Sequence, residues 1–274
     1  MQSPNTSIKM ENVENSLKTK VACLVSGLQL SGTSYISQLL TIHPKINAGF
    51  ECGVLNYKSP RHFGNRKPVT YKWLYAGGSK HRWRVGEKNL EKLCKSDHFY
   101  DFYDGIIKYS PLFDEEKVLM IDKFPGYAFN LDKVLARAED LPMIIIEKNP
   151  YFQYQSYKKR GWGVEEFVDY WTEYREQIEH ALNDSELGPR IMVLPFKKVT
   201  EDLVWALRKI YKFLGDYNPE LAVSNTQINV FTRKVEKNFS KQKKVRMEYD
   251  YAAELKKLID GMERYELISL KKLV

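Results

Sequence analysis

Four short apolar runs, each closed by polar or turn-forming residues, divide this chain: residues 21–25, 118–122, 143–147 and 191–195. Unbroken runs of this length, rich in Val, Ile and Leu, predict strands buried on both faces, as the interior of a parallel sheet requires. The run 143–147, Met-Ile-Ile-Ile-Glu, is the clearest of them. Between the runs, apolar positions recur every three or four residues. Phe167, Trp171, Tyr174, Ile178 and Leu182 predict a long amphipathic helix. Shorter helices are expected over 35–40, 128–138 and 151–160. Leu203, Leu207, Ile210 and Leu214 mark another, with Thr200 read as its N-cap, Glu201 and Asp202 in its first turn, and Gly215 as its stop. Strands alternating with helices predict an α/β fold class, a three-layer α/β/α arrangement around a mainly parallel central sheet.

The pattern weakens in three places. Residues 1–18 are polar and aperiodic, and are expected to be a flexible N-terminal segment. Residues 45–110 hold short elements, several glycines and basic clusters at 58–67 and 80–84, and are expected to form an insertion over the site. Residues 216–274 turn polar and basic, with one further helix expected over 249–264. The whole of 19–274 is read as a single domain.

Composition narrows the class. A chain with 43% hydrophobic and 13% aromatic residues can build a packed core, which excludes a disordered protein. The formal net charge of +8 favours anionic partners without naming one. Cys23, Cys52 and Cys94 form no C-x-x-C pair and no disulfide framework, and Cys23 reads as a small core residue. No leading apolar segment resembles a signal peptide, and no run reaches the roughly 18 apolar residues of a membrane span. The expectation is a soluble, cytoplasmic protein. No recognisable nucleic-acid motif accompanies the positive charge, so nucleic acid is not an expected partner.

Chemistry enters at Gly27-Leu28-Gln29-Leu30-Ser31-Gly32-Thr33-Ser34. The spacing is that of a phosphate-binding loop, G-x-x-x-x-G-K-[ST], with Thr33 in place of the lysine. It lies between the first predicted strand and the helical segment that follows, where glycines let backbone amides and a helix N-terminus face an anion. Ser31, Thr33 and Ser34 add hydroxyls. Without the lysine, the loop suits a single terminal phosphate or phosphosulfate better than a β/γ-phosphate pair with magnesium. A second cluster, Lys148-Asn149-Pro150 with Ser156, places a cation just past the strongest strand and a hydroxyl two turns into the next helix.

Together these segments resemble the sulfotransferases that use 3′-phosphoadenosine 5′-phosphosulfate (PAPS), a family of P-loop NTPase-like fold. Ser31-Gly32-Thr33-Ser34 match the end of that family's [KR]-S-G-T-[TS] loop, followed by His43-Pro44 and Glu51. Glu147-Lys148-Asn149-Pro150 and Ser156 match its Arg-[DN]-Pro segment and the serine eight residues on, with lysine for arginine. Lys123-Phe124-Pro125 resembles its Lys-x-Pro segment, and Glu201-Asp202-Leu203 with Phe213-Leu214-Gly215 its later helix. The likeness runs over about 20–215 and is nearer the glycan- and tyrosine-directed members than the cytosolic phenol and steroid type. One departure matters: the basic residue that opens the family's loop is Leu30 here.

The resemblance implies roles. Ser31, Gly32, Thr33, Ser34 and Tyr35 would hold the 5′-phosphosulfate, and Lys148 with Ser156 the 3′-phosphate. Lys123 would stabilise the transferred sulfuryl group, and Glu51 would be the general base. His62, His81 and His98 are rivals for that last role, because some members use a histidine. The cofactor implied is PAPS, without a metal, and the partner is a hydroxyl-bearing acceptor: glycan, tyrosine or small alcohol. The basic clusters suggest an acidic acceptor, and Trp73, Tyr75 and Trp83 suggest stacking on a ring. Arg233-Lys234 faintly resembles a late 3′-phosphate loop of the family. Two alternatives keep the same fold: a member that binds the nucleotide without activity, and a P-loop nucleotide kinase.

Overall fold

The computed structural model describes residues 16–76, 83–138 and 140–239. Five strands, β1 (Val21–Ser26), β2 (Ile46–Asn47), β3 (Leu119–Lys123), β4 (Met143–Glu147) and β5 (Ile191–Pro195), form one sheet in the order β2-β3-β1-β4-β5. Every neighbouring pair is parallel. β1, at the centre, is buried along its whole length. Alternate residues of β4 face different layers: Met143 and Ile145 join one core, Ile144 and Ile146 the other. A strand covered on both faces has no polar side to display, which is why it reads as a continuous apolar run.

Eleven α-helices are described: α1 (Thr33–Leu40), α2 (Pro60–Arg66), α3 (Val69–Tyr75), α4 (Glu87–Leu93), α5 (Phe99–Tyr109), α6 (Leu131–Arg137), α7 (Pro150–Lys158), α8 (Val164–Asn183), α9 (Phe196–Glu201), α10 (Leu203–Tyr217) and α11 (Asn225–Phe239). Ile36, Leu39 and Leu40 of α1 share a core with Leu207 and Ile210 of α10 and with Ile228, Phe231 and Val235 of α11. The opposite core takes Phe63, Tyr71, Leu90 and Phe102 from α2–α5 together with Phe167 and Trp171 of α8. The three-layer α/β fold expected from the sequence is the fold observed.

Several local expectations change. The N-cap of α10 is Asp202, whose Oδ1 accepts the Trp205 N–H at 3.0 Å, and not Thr200. Thr200 lies within the short helix α9 and turns its hydroxyl back to the Lys197 carbonyl, as serine and threonine do inside helices. Gly215 does not end α10, which continues to Tyr217. Leu182, read as part of the apolar stripe of α8, is 39% exposed. Strand β2 is two residues long, too short to leave a pattern. Helix α11 is a further element, with Ile228, Phe231 and Val235 buried at helical spacing in a segment otherwise mostly polar. The helix expected over 249–264 lies outside the described residues.

The register sets the site. β1 pairs Val25 with Lys123 of β3 on one side and with Ile144 of β4 on the other. The carboxyl ends of β3, β1 and β4 therefore finish side by side, the edge at which open parallel sheets bind ligands.

Candidate active site

The turn from β1 into α1 is built by two glycines. Gly27 has φ +145°, and a β-carbon there would lie 2.5 Å from the Ile146 carbonyl oxygen of β4. Gly32 has φ +108°, and a β-carbon there would lie 2.3 Å from the Phe196 ring. Both combine a left-handed backbone with close approach, which only glycine accepts. Leu30, between them, takes φ +67° with a side chain. Such backbone costs roughly 1–3 kcal/mol and persists where the surroundings over-determine it. Its side chain packs on the core layer that holds Val21 and Leu24.

The curl leaves the amides of Gly32, Thr33 and Ser34 without hydrogen-bond acceptors among the described residues. Ser31 is fully buried, and its Oγ has no partner among them. A buried, unsatisfied hydroxyl beside three amides without acceptors among the described residues is an arrangement with the donors to receive an anion. Thr33 is buried and Ser34 exposed, while the Tyr35 ring stands edge-on to Phe196 at 5.8 Å. Gln153 of α7, 1% exposed, donates from Nε2 to the Gln29 carbonyl at 2.9 Å and ties the loop to the neighbouring helix. Sequence reasoning missed Gln153, because a single amide within an aromatic-rich helix carries no local signal.

On the β3 side, Lys123 and Glu51 meet. Lys123 is 2% exposed, its Nζ lies 3.0 Å from Glu51 Oε1, and it sits 4.7 Å from the centre of the Phe50 ring. Burial holds the ammonium below its ordinary pKa, against the opposing pull of Glu51 and then Asp122. The second oxygen of Glu51 makes no hydrogen bond among the described residues. Behind the pair lies a cluster the sequence did not disclose. Asp122 is fully buried, and its Oδ2 accepts from Tyr103 Oη at 2.5 Å and Tyr127 Oη at 2.7 Å. Burial pushes the Asp122 carboxyl up to about 6, against the two tyrosine hydrogen bonds. Tyr127 Oη in turn accepts the Leu55 N–H at 3.4 Å, anchoring the segment that carries Glu51.

The β4 side is organised differently. Lys148 is half-buried, with no ion pair or hydrogen bond among the described residues. Burial alone lowers its pKa. Asn149 caps α7, its Oδ1 accepting the Tyr151 N–H at 3.0 Å. Ser156 bonds only weakly back to the Phe152 carbonyl, at 3.4 Å. Glu147 is occupied by Arg175 of α8, which also holds Glu179 at 2.9 Å.

The other candidates stand in varied settings. Trp83, expected to stack on a ring, is fully buried and stacks on Phe113, so it is a core residue. Trp73 packs edge-on to Phe50 at 4.9 Å, beside Lys123. His62 is exposed and bonded to Ser59, and His98 is exposed at the start of α5. His43 is buried against Tyr211, where burial lowers it to about 4. Arg233 and Lys234 lie exposed on α11. His81 and the basic residues at 80–82 lie outside the described residues.

The site is thus a glycine-bracketed turn after the central strand of a parallel sheet, with lysines at the ends of the two adjacent strands. The chain belongs to the sulfotransferase family, whose model matches residues 23–218. Solved structures agree in fold. The sulfotransferase domain of the Synechococcus PCC 7002 olefin synthase superposes with a TM-score of 0.56 at 19% identity, covering 90% of this chain and 94% of that one. A Mycobacterium avium sulfotransferase gives 0.53 at 12%, covering 94% and 79%. A Mycobacterium tuberculosis sulfotransferase gives 0.50 at 16%, with the same coverages. No curated protein matches the sequence. Among the described residues no helix is long and apolar enough to cross a membrane.

Proposed function

We propose that this sulfotransferase takes its sulfuryl group from PAPS and delivers it to an acceptor hydroxyl. The observation that carries the reading is the contrast in charge along one edge: a paired lysine at the end of β3, one without a partner among the described residues at the end of β4, and an open amide cradle between them. The residues fit the donor. The free amides of Gly32 to Ser34 and the orphaned Ser31 hydroxyl suit the 5′-phosphosulfate. Thr33 and Tyr35 complete that end, and Lys148 with Ser156 suits the 3′-phosphate. When bound, PAPS supplies an activated sulfuryl group on a phosphate leaving group.

The chain's own residues then have separable tasks. Lys123 places a buried positive charge beside the cradle, where negative charge grows during transfer, and low local polarity strengthens it. Glu51 presents its unbonded oxygen to the acceptor and takes the hydroxyl proton. Asp122, Tyr103 and Tyr127 hold the Glu51 segment against the end of β3. Positioning supplies the rest, as in phosphoryl transfer.

Calorimetry with adenosine 3′,5′-bisphosphate, the product nucleotide, tests the donor. Micromolar binding that is lost in Lys148→Ala and Thr33→Ala supports the reading. A native chain that ignores this nucleotide and binds ATP with magnesium overturns it.

A further inference from the structure

A cavity of about 320 Å³ opens beside Lys123 and runs along the side of α1 toward the end of β2. Among the described residues Lys123 is the one charged side chain lining it, and Glu51 already neutralises that charge at 3.0 Å. The remaining polar walls are hydroxyls and amides. Ser37 is 3% exposed, lines the cavity and makes no hydrogen bond among the described residues. The Gln38 side-chain amide has no partner there either. Thr41 spends its proton on the Gln38 carbonyl at 2.7 Å and keeps its lone pairs. Asn47 is fixed by the Leu112 carbonyl and the Ala48 N–H, with one amide hydrogen left over. Phe50 adds an apolar face.

We infer that this cavity receives the acceptor and selects an uncharged, polyhydroxylated ring, such as a pyranoside. The inference rests on the donor reading above and names the acceptor class for the same site. Each ring hydroxyl both donates and accepts, which matches a wall of mixed donors and acceptors, while the C–H face of the ring suits Phe50. A phenol or lipid would leave Ser37 and Gln38 buried without partners, at a cost for each. An acidic acceptor would bring its charge beside Glu51 with no unpaired cation in the wall. The acidic acceptor suggested by the basic clusters is therefore disfavoured here. One helix then reads both substrates, the donor at its N-terminus and the acceptor along its flank.

The test is titration of the full chain with methyl pyranosides of gluco, galacto and manno configuration, with and without adenosine 3′,5′-bisphosphate. Methyl glucuronoside and 4-nitrophenol serve as competitors. Millimolar or tighter pyranoside binding is expected, weakened about tenfold in Gln38→Leu and several-fold in Ser37→Ala, through loss of buried hydrogen bonds. Nucleotide affinity should be unchanged in both variants, which also reports their folding. A trisaccharide that binds tighter than the methyl glycoside assigns a glycan end, and equal affinity assigns a free glycoside. Nucleotide binding without pyranoside binding, or a phenol or glucuronoside that outcompetes every neutral ring, overturns the inference and leaves the donor site standing. Pyranoside binding that depends on Gln38 in a chain that ignores the nucleotide upholds the cavity and removes the donor reading.

Discussion

The two lysines that flank the central strand have opposite circumstances. Lys123 is buried, paired with Glu51 and backed by the Asp122–Tyr103–Tyr127 cluster. Lys148 is half-buried and unpaired among the described residues. A cation that must act on a short-lived charge has to be held in place beforehand, and the fold supplies the holding groups. A cation that binds a stable phosphate can leave its pairing to the ligand. On the proposed reading, the difference would separate a transfer end of the site from an anchoring end.

The largest effect is expected from Lys123→Ala. Sulfuryl transfer should fall by roughly 10²–10³-fold, the loss typical of one preorganised charge-stabilising donor. Affinity for adenosine 3′,5′-bisphosphate should change little. Comparing kcat with the calorimetric Kd checks this, and a loss confined to nucleotide affinity would merge the two ends.

Asp122 comes next, through the pH dependence of stability. Its carboxyl is raised to about 6 in the fold from the usual 3.8. The contribution is therefore fully present below about pH 4 and lost as pH rises through 6, on the order of 3 kcal/mol. His43 works the other way. It is lowered from 6.5 to about 4, so its contribution is present above pH 6.5 and lost as pH falls through 4. The two slopes oppose each other over the same window. Asp122→Asn should leave stability rising from pH 4 to 6.5 in urea titrations, where the native chain is flatter. Identical profiles for both proteins would remove Asp122 from this account.

Lys148→Ala should weaken nucleotide binding about 10- to 100-fold, as expected for hydrogen bonds to a charged group worth about 1.5–3 kcal/mol. It should leave the Tm of the free chain unchanged or slightly higher, because it removes a desolvated charge with no partner among the described residues. A lower Tm with unchanged affinity would make Lys148 a structural residue.

The smallest effects belong to the glycines of the turns. Gly32→Ala must displace the Phe196 ring and should cost about 1–3 kcal/mol in urea unfolding, with the cradle loosened. Gly161→Ala is the control: its φ is +88° but nothing lies within 4 Å of the added carbon, so backbone strain alone remains, about 1 kcal/mol. Equal losses at both positions would show that the contact with Phe196 contributes nothing.

Much of this was legible along the chain, because it depends on near neighbours. Apolar period decides strand or helix, and the four buried runs became β1, β3, β4 and β5 within a residue or so. Gly27 and Gly32 announced the turn, since a backbone that bends back on itself needs glycine wherever it stands. Lys148, Asn149 and Ser156 were readable as a spaced set on one strand end and its helix. The sequence also named Lys123 and Glu51 separately, by their places in motifs.

Only the tertiary structure decided how such residues meet. Glu51 and Lys123 lie 72 positions apart, and strand order and the packing of the 52–55 segment bring them to 3.0 Å. Tyr103 and Tyr127 converge on Asp122 from two elements that share no local pattern. The half-buried setting of Lys148, the burial of Trp83 and the polar cavity along α1 likewise follow from what surrounds each group. Backbone conformation is set by local sterics and hydrophobic period, whereas charge pairing and desolvation depend on neighbours in space, which a chain acquires only by folding.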